Sequence, residues 1–300
     1  MMQSSHPMQQ SSGNAASFPP TLPRIQVSQS DTANLNTLLH QYLLRAQEGR
    51  LYPEIIPVVE MECALDMGCG AGEWIFDMAK NHPKLRIYGV DVDEMPLHRA
   101  TQRRNAKGLC QIQLRHIDIT QPLPVPDSFF DFVHMRRCTR SIAPTQWPGV
   151  IAECIRVLKP EGWLVMAELE LCQISSPAMM AIQSVMTQAR AKYGNSMHIR
   201  GEMTGMAPRL YGMLLQAQMD NVAYDLHTVD LGFMGGHTAR LFLTEIIRYA
   251  WRMRPMVVEQ QMMSSEGFDE LIKQASSELL APDLCGWGVL ITAYGKRGNT

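Results

Sequence analysis

The stretch Cys63-Ala-Leu-Asp-Met-Gly-Cys-Gly-Ala-Gly-Glu-Trp74 constrains the fold more than any other part of the chain. A short apolar run, 63–65, leads into Asp66 and three alternating glycines, Gly68, Gly70 and Gly72, and an amphipathic pattern starts near Glu73. That order predicts a strand, a tight turn and a helix. Glycine is required where backbone takes a positive φ or lies flat against a ligand, because a β-carbon obstructs both. The turn is therefore predicted to carry a ligand. A dinucleotide site needs G-x-G-x-x-G/A, so that the helix packs on the strand and its N-terminus faces a pyrophosphate. The sixth position is Glu73 counted from Gly68 and Ile75 counted from Gly70, so neither frame fits. A carboxylate at the helix start also repels a pyrophosphate.

Downstream, strand and helix patterns alternate. Trp74, Ile75, Met78 and Ala79 share a helical face that breaks at Asn81-His82-Pro83. A strand at 85–90 ends in Asp91, a helix covers 94–107, and a strand at 110–117 ends at Asp118-Ile119. A fourth strand spans 129–134 and a helix 146–158; a proline turn at 159–162 precedes a buried fifth strand, 163–169. Upstream, Leu35, Leu38, Leu39, Tyr42 and Leu43 recur at helical spacing and Gly49 stops the run. This helix either packs or covers a ligand, and periodicity does not separate the two.

Ser176 and Pro177 open a later helix closed by Gly194. A further helix is read at 208–218, alternation at 222–226 gives a sixth strand, helices follow at 239–253 and 268–280, and 289–295 closes the sheet as a seventh strand.

The apolar fraction of 46% suits a chain that buries a core, and the formal charge of −2 without basic runs gives nucleic acid no footprint. Seven scattered cysteines form neither a disulfide framework nor a three-cysteine cluster spacing, which points to a reducing, cytoplasmic setting and against radical chemistry. No apolar run reaches the roughly 18 residues that span a bilayer. Residues 1–30, rich in Gln, Ser and Pro, are expected to be a disordered tail ahead of one domain at 31–300.

The spacing Asp66-x-Gly68-x-Gly70-x-Gly72 resembles the first motif of class I S-adenosylmethionine-dependent methyltransferases. Asp91 about twenty residues on, Asp118-Ile119 after the third strand, and Arg156-Val-Leu-Lys-Pro-Glu-Gly162, close to R-V-L-K-P-G-G, strengthen the likeness. Its first half resembles the ubiquinone/menaquinone-type and secondary-metabolism small-molecule enzymes, including a fungal regulator-like group with a related His-x-Arg after strand four. The resemblance implies an α/β, Rossmann-like, seven-stranded, mostly parallel sheet with helices on both faces, an N-terminal helix and a helical substrate-covering insertion. The cofactor half would occupy about 50–170, the cover about 171–219, and the closing strands and helices 220–300. The implied cofactor is S-adenosylmethionine. Asp66 would act on its ammonium; Gly68, Cys69 and Gly70 would make room for it. Asp91 would hold the ribose, Val92 and Met95 would wall the adenine, Asp118 and Ile119 would meet the adenine amine and ring, and His134 and Met135 would approach the sulfonium.

Methyl transfer needs alignment in a dry pocket more than a catalytic group. If the acceptor is a hydroxyl, His134, His198 and His237 are candidate bases, although no paired carboxylate flanks any of them in sequence. Glu168 and Glu170 lack the companion acids of a Mg²⁺ site, so no metal is expected. Eight methionines between Met179 and Met219 suit either core or a lipophilic pocket. Met203, Met206, Tyr211 and His237 are the candidate acceptor wall, for a small, apolar or aromatic metabolite. A lyase or cyclase that keeps the cofactor without spending its methyl, and a non-catalytic regulator, stay open as alternatives.

Overall fold

The computed structural model describes residues 29–192, 194, 196–198, 203 and 205–299. The expected tail thus lies, but for its last two residues, outside the described residues, as do several positions of the cover.

The elements in chain order are α1 (Gln29–Ala46), β1 (Cys63–Met67), α2 (Glu73–Asn81), β2 (Arg86–Asp91), α3 (Glu94–Lys107), β3 (Ile112–His116), β4 (Phe130–Arg136), α4 (Trp147–Val157) and β5 (Leu158–Ile174). Then come α5 (Pro177–Lys192), α6 (Leu210–Gln216), β6 (Asp220–Asp230), α7 (Gly236–Arg252), α8 (Arg254–Glu259), α9 (Ser265–Glu278) and β7 (Gly286–Lys296). The strands form one sheet in the order β3-β2-β1-β4-β5-β7-β6. It is parallel from β3 to β5, and β7 is antiparallel to both its neighbours.

Chain order reverses between β1 and β4, the place where open α/β sheets leave a crevice beyond the carboxyl ends of their strands. All five residues of β1 are buried, as a strand covered on both faces requires. On one face α2 presses Trp74, Ile75 and Met78 onto Ile87 and Phe132. Close packing there leaves no room at Gly89, where a β-carbon would lie 2.4 Å from Ile75 Cδ1. On the other, Ile151 and Cys154 of α4 meet Met67 and Met135. The helices of the second half enclose a separate core with Phe242, Ile246, Phe268 and Ile272 at its centre.

Three elements depart from expectation. β5 runs on to Ile174, past the expected 169, because β7 lies antiparallel along it as far as the pair Ile174–Gly286. At its start, the proline turn is absorbed as a bulge: β4 pairs Phe130 with Leu158 but Phe132 with Trp163, and Glu161 takes φ +66° where the resembling pattern has glycine. The seventh strand is internal, with β6 as the edge. No sequence signal was read for α8, a six-residue helix with proline in its first turn.

Candidate active site

The glycine turn after β1 is built as its sequence demands. Gly68, Gly70 and Gly72 have φ of 76°, 54° and 80°, all in the left-handed region. Their reasons differ. A β-carbon at Gly68 would lie 3.0 Å from Cys138 Sγ, and one at Gly72 would lie 3.0 Å from the Phe76 ring, so both are packing glycines. At Gly70 it would meet nothing within 4 Å. That position opens on the cleft. The turn is braced from β2: Gly68 and Cys69 N–H donate to Val90 O, and Gly70 N–H donates to Asp91 Oδ2 at 2.7 Å. Asp91 Oδ1 accepts from Asp93 N–H, and Asp93, not Asp91, caps α3 by accepting from Met95 N–H.

Asp66 and His134 are register partners on β1 and β4. Both are buried, and His134 Nδ1 lies 2.7 Å from Asp66 Oδ1. The imidazole stacks flat on Trp74, with ring centroids 4.1 Å apart and an interplanar angle of 5°. Burial, with some help from the Arg136 charge, pushes the His134 pKa below its ordinary value against the pull of Asp66. The ring is therefore neutral at physiological pH. Its Nδ1–H donates to the carboxylate and its lone pair is on Nε2.

Above this floor lies α1. His40 Nε2 sits 2.9 Å from Asp77 Oδ2, and its Nδ1 2.6 Å from Arg136 Nη2. A guanidinium only donates, so Nδ1 accepts and Nε2–H is given to Asp77. Burial and Arg136 lower the His40 pKa, in keeping with a neutral ring. Thr37 Oγ1 and Arg103 both donate to Glu73 at the start of α2, each at 2.7 Å. The cleft so formed holds about 130 Å³ and is lined by Asp66, Gly68–Ala71, Trp74, His134, Arg136, Arg137 and, from α1, His40 and Leu43.

Toward β2 and β3 lie the side chains expected to wall an adenine. Val92 and Met95 are 54% and 70% exposed. Asp118 is exposed and accepts from Thr120, while Ile119 is buried beside Gly68. Met135 does not reach the cleft. It neighbours His134 in sequence, so the strand turns it to the opposite face, where its sulfur lies 3.6 Å from Cys154 Sγ.

The expected acceptor wall is not brought together. Met206 is wholly buried in the core with Leu210 and Leu214, a correction that follows from methionine serving core and pocket equally well. Tyr211 packs edge-on against Tyr224 of the outer strand β6, four strands from β1. His237 is exposed at the start of α7 and Met203 is 38% exposed. His198 is partly buried in a turn with Ser196.

A second cavity of about 110 Å³ adjoins the cleft through Arg137, which lines both. It lies beyond the carboxyl end of β4 and alongside the second half of β5, under α5 and α7, and Glu168 sits in its wall. Sequence reasoning missed His40, Arg136, Arg137 and this cavity, although the His-x-Arg signature contained Arg136. Among the described residues no three His, Cys, Asp or Glu side chains converge as metal ligands. None of the described helices is long and apolar enough to cross a membrane.

Comparison with known proteins decides the family. The methyltransferase domain family matches residues 64–162, the span from β1 to the β5 bulge. Residues 64–162 belong to the class I S-adenosylmethionine-dependent methyltransferases. The demethylmenaquinone methyltransferase of Geobacillus stearothermophilus is 35% identical to this methyltransferase domain over 106 residues, covering 35% of the chain and 44% of that relative. The chain thus spans less than half the length of that relative. Methyltransferase cpsF of Aspergillus campestris is 23% identical over 188 residues, 62% of this chain and 65% of its own. Among solved structures the likeness is one of fold. The structure of Haemonchus contortus phosphoethanolamine N-methyltransferase 2, in complex with S-adenosyl-L-methionine, has TM-score 0.51 and 16% identity over 92% of this chain and 59% of that one.

Proposed function

We propose that the chain binds S-adenosylmethionine in the cleft on the glycine turn and methylates a small, apolar or aromatic acceptor. Gly70 is the observation that carries this reading. Its left-handed backbone leaves open, on the cleft side, the space that a β-carbon would fill, and the Asp91 carboxylate bonds its N–H while Asp66 lines the same cleft. The residues fit the cofactor's chemistry. Asp66, with Oδ1 held by His134, keeps Oδ2 for an ammonium, and Arg136 offers a cation to the α-carboxylate. Asp91, already fixed by two backbone N–H groups, faces a ribose with the geometry of its carboxylate set beforehand. Val92, Met95 and Ile119 offer apolar surface to the adenine.

When bound, the sulfonium supplies an activated methyl group. The protein's own task is positioning and exclusion of water, which can be worth about 7 to 11 kcal/mol. Trp74 and His134 form a rigid floor and α1 a roof, so the cleft is dry on two sides.

Calorimetry with S-adenosylhomocysteine and with NAD tests the cofactor assignment. Binding of the former alone is expected, and Gly70→Val, whose branched side chain would occupy the open space, is expected to abolish it in a protein that still folds. NAD binding without S-adenosylhomocysteine binding, or equal affinity in the variant, would remove this reading.

A further inference from the structure

The cavity beside Arg137 contains one acid with an unusual setting. Glu168 is 6% exposed, and its Oε1 accepts the backbone N–H groups of Cys138 and Thr139 at 2.6 and 3.1 Å. Those two bonds fix the carboxyl group in the wall of the cavity, with the Thr139 side chain beside it. Around it the walls are apolar, with Leu169 and Leu171 from β5, Met186 from α5 and Phe242 from α7. From α5, Arg190 donates to Tyr249 of α7 and to Thr139 O, and Arg137 faces the carboxyl from the end of β4. Glu170, two residues along β5, is turned to Gly205 N–H.

We infer that this cavity seats the methyl acceptor and that Glu168 is a catalytic residue, receiving the proton of a hydroxyl carried on an apolar ring. The inference rests on the cofactor site proposed above, because the two spaces meet at Arg137, where an acceptor seated in the cavity would approach a methyl group in the cleft. Two guanidinium groups in the wall repel an ammonium, which favours oxygen over an amine as acceptor. In the step, the acceptor oxygen forms the new C–O bond with its lone pair, the C–S bond breaks with its electrons moving to sulfur, and the O–H proton passes to the Glu168 carboxylate. Burial supplies the matching basicity: it pushes the Glu168 pKa from 4.5 up to about 7, against the opposing effects of its hydrogen bonds and of Arg137.

2-Naphthol is a suitable probe, since its hydroxyl stays protonated across the pH range of interest and its fluorescence reports binding. With the full chain saturated with S-adenosylhomocysteine, 2-naphthol is expected to bind wild type. Leu171→Trp, which fills the cavity, is expected to weaken that binding at least about tenfold while leaving S-adenosylhomocysteine affinity unchanged. With methyl-labelled S-adenosylmethionine, the rate of ether formation should rise tenfold per pH unit up to about 7 and then level. Glu168→Gln should flatten that profile and slow transfer by roughly 100-fold or more, with Glu168→Asp recovering part of the loss. If S-adenosylhomocysteine binds but 2-naphthol does not, or if Leu171→Trp binds it as well as wild type, the cavity is not the acceptor's seat. An unchanged pH profile in Glu168→Gln would end the catalytic assignment. Failure of wild type to bind S-adenosylhomocysteine would instead remove the cofactor reading and this inference with it.

Discussion

Glu168 carries a cost that only its ionised form incurs. Its folded pKa of about 7 stands above the 4.5 of an unperturbed glutamate, so the folded state prefers the proton. That preference stabilises the fold fully below 4.5 and is lost as pH rises through 7. Across this window, at about 1.4 kcal/mol per pH unit, the loss amounts to roughly 3 kcal/mol. Glu168→Gln has no such dependence. Urea denaturation is therefore expected to show the variant gaining roughly 3 kcal/mol on wild type between pH 4 and pH 8, and a constant difference would mean that Glu168 is solvated as an ordinary surface acid. The sequence showed Glu168 only as an acid at a strand end. Its burial depends on α5 and α7, helices that follow it in the chain and are brought over it only by the tertiary fold. The same holds for the pair His134 and Asp66, which are 68 residues apart and meet only through the register of β4 on β1. Glycines are more legible, because a left-handed φ restricts the residue type at the position itself.

At the scale of elements, alternating apolar patterns located most strands and helices, since burial on one face leaves a period that needs no partner to be seen. Strand length and neighbours were less visible: β5 continues to Ile174 because β7 pairs with it, and a partner 120 residues on leaves no local trace. For α1, periodicity left open whether it packs or covers; its contacts show that it packs and that it lines the cleft. Leu43 is 1% exposed and lines the cleft, His40 and Thr37 reach α2, and Gln47 Nε2 donates to Thr292 of β7 at 3.1 Å. None of these contacts belongs to the sheet ladder. Leu43→Asp would bury a carboxylate against apolar neighbours, which a peripheral helix avoids by detaching. The expected result is faster tryptic cleavage after Arg45 and Arg50 and at least a tenfold loss of S-adenosylhomocysteine affinity, with the near-native circular dichroism of the sheet retained. Full affinity in a protease-sensitive variant would show that α1 is no part of the site.

For the molecule as a whole, the reversal of strand order between β1 and β4 places the cleft, and the second half of the chain places the cavity beside it. The two are joined by one residue that both contain. Arg137 has φ +59° and its N–H donates to Ala167 O on β5, next to Glu168, so its backbone is fixed by one strand while its side chain borders both spaces. Occupants on either side share this wall, and any free energy by which one orders it is available to the other. Linkage makes that effect reciprocal: the factor by which S-adenosylhomocysteine tightens 2-naphthol must equal the factor by which 2-naphthol tightens S-adenosylhomocysteine. Arg137→Gly is the informative substitution, because glycine accepts the left-handed backbone and only the guanidinium is lost. Calorimetric titrations of each ligand in the presence and absence of the other are expected to give a common factor of roughly 5 or more in wild type, falling to about 1 in Arg137→Gly, with each ligand still binding alone. Coupling that survives intact in Arg137→Gly would move the connection between the two spaces to the backbone of β4 and β5 and away from this side chain.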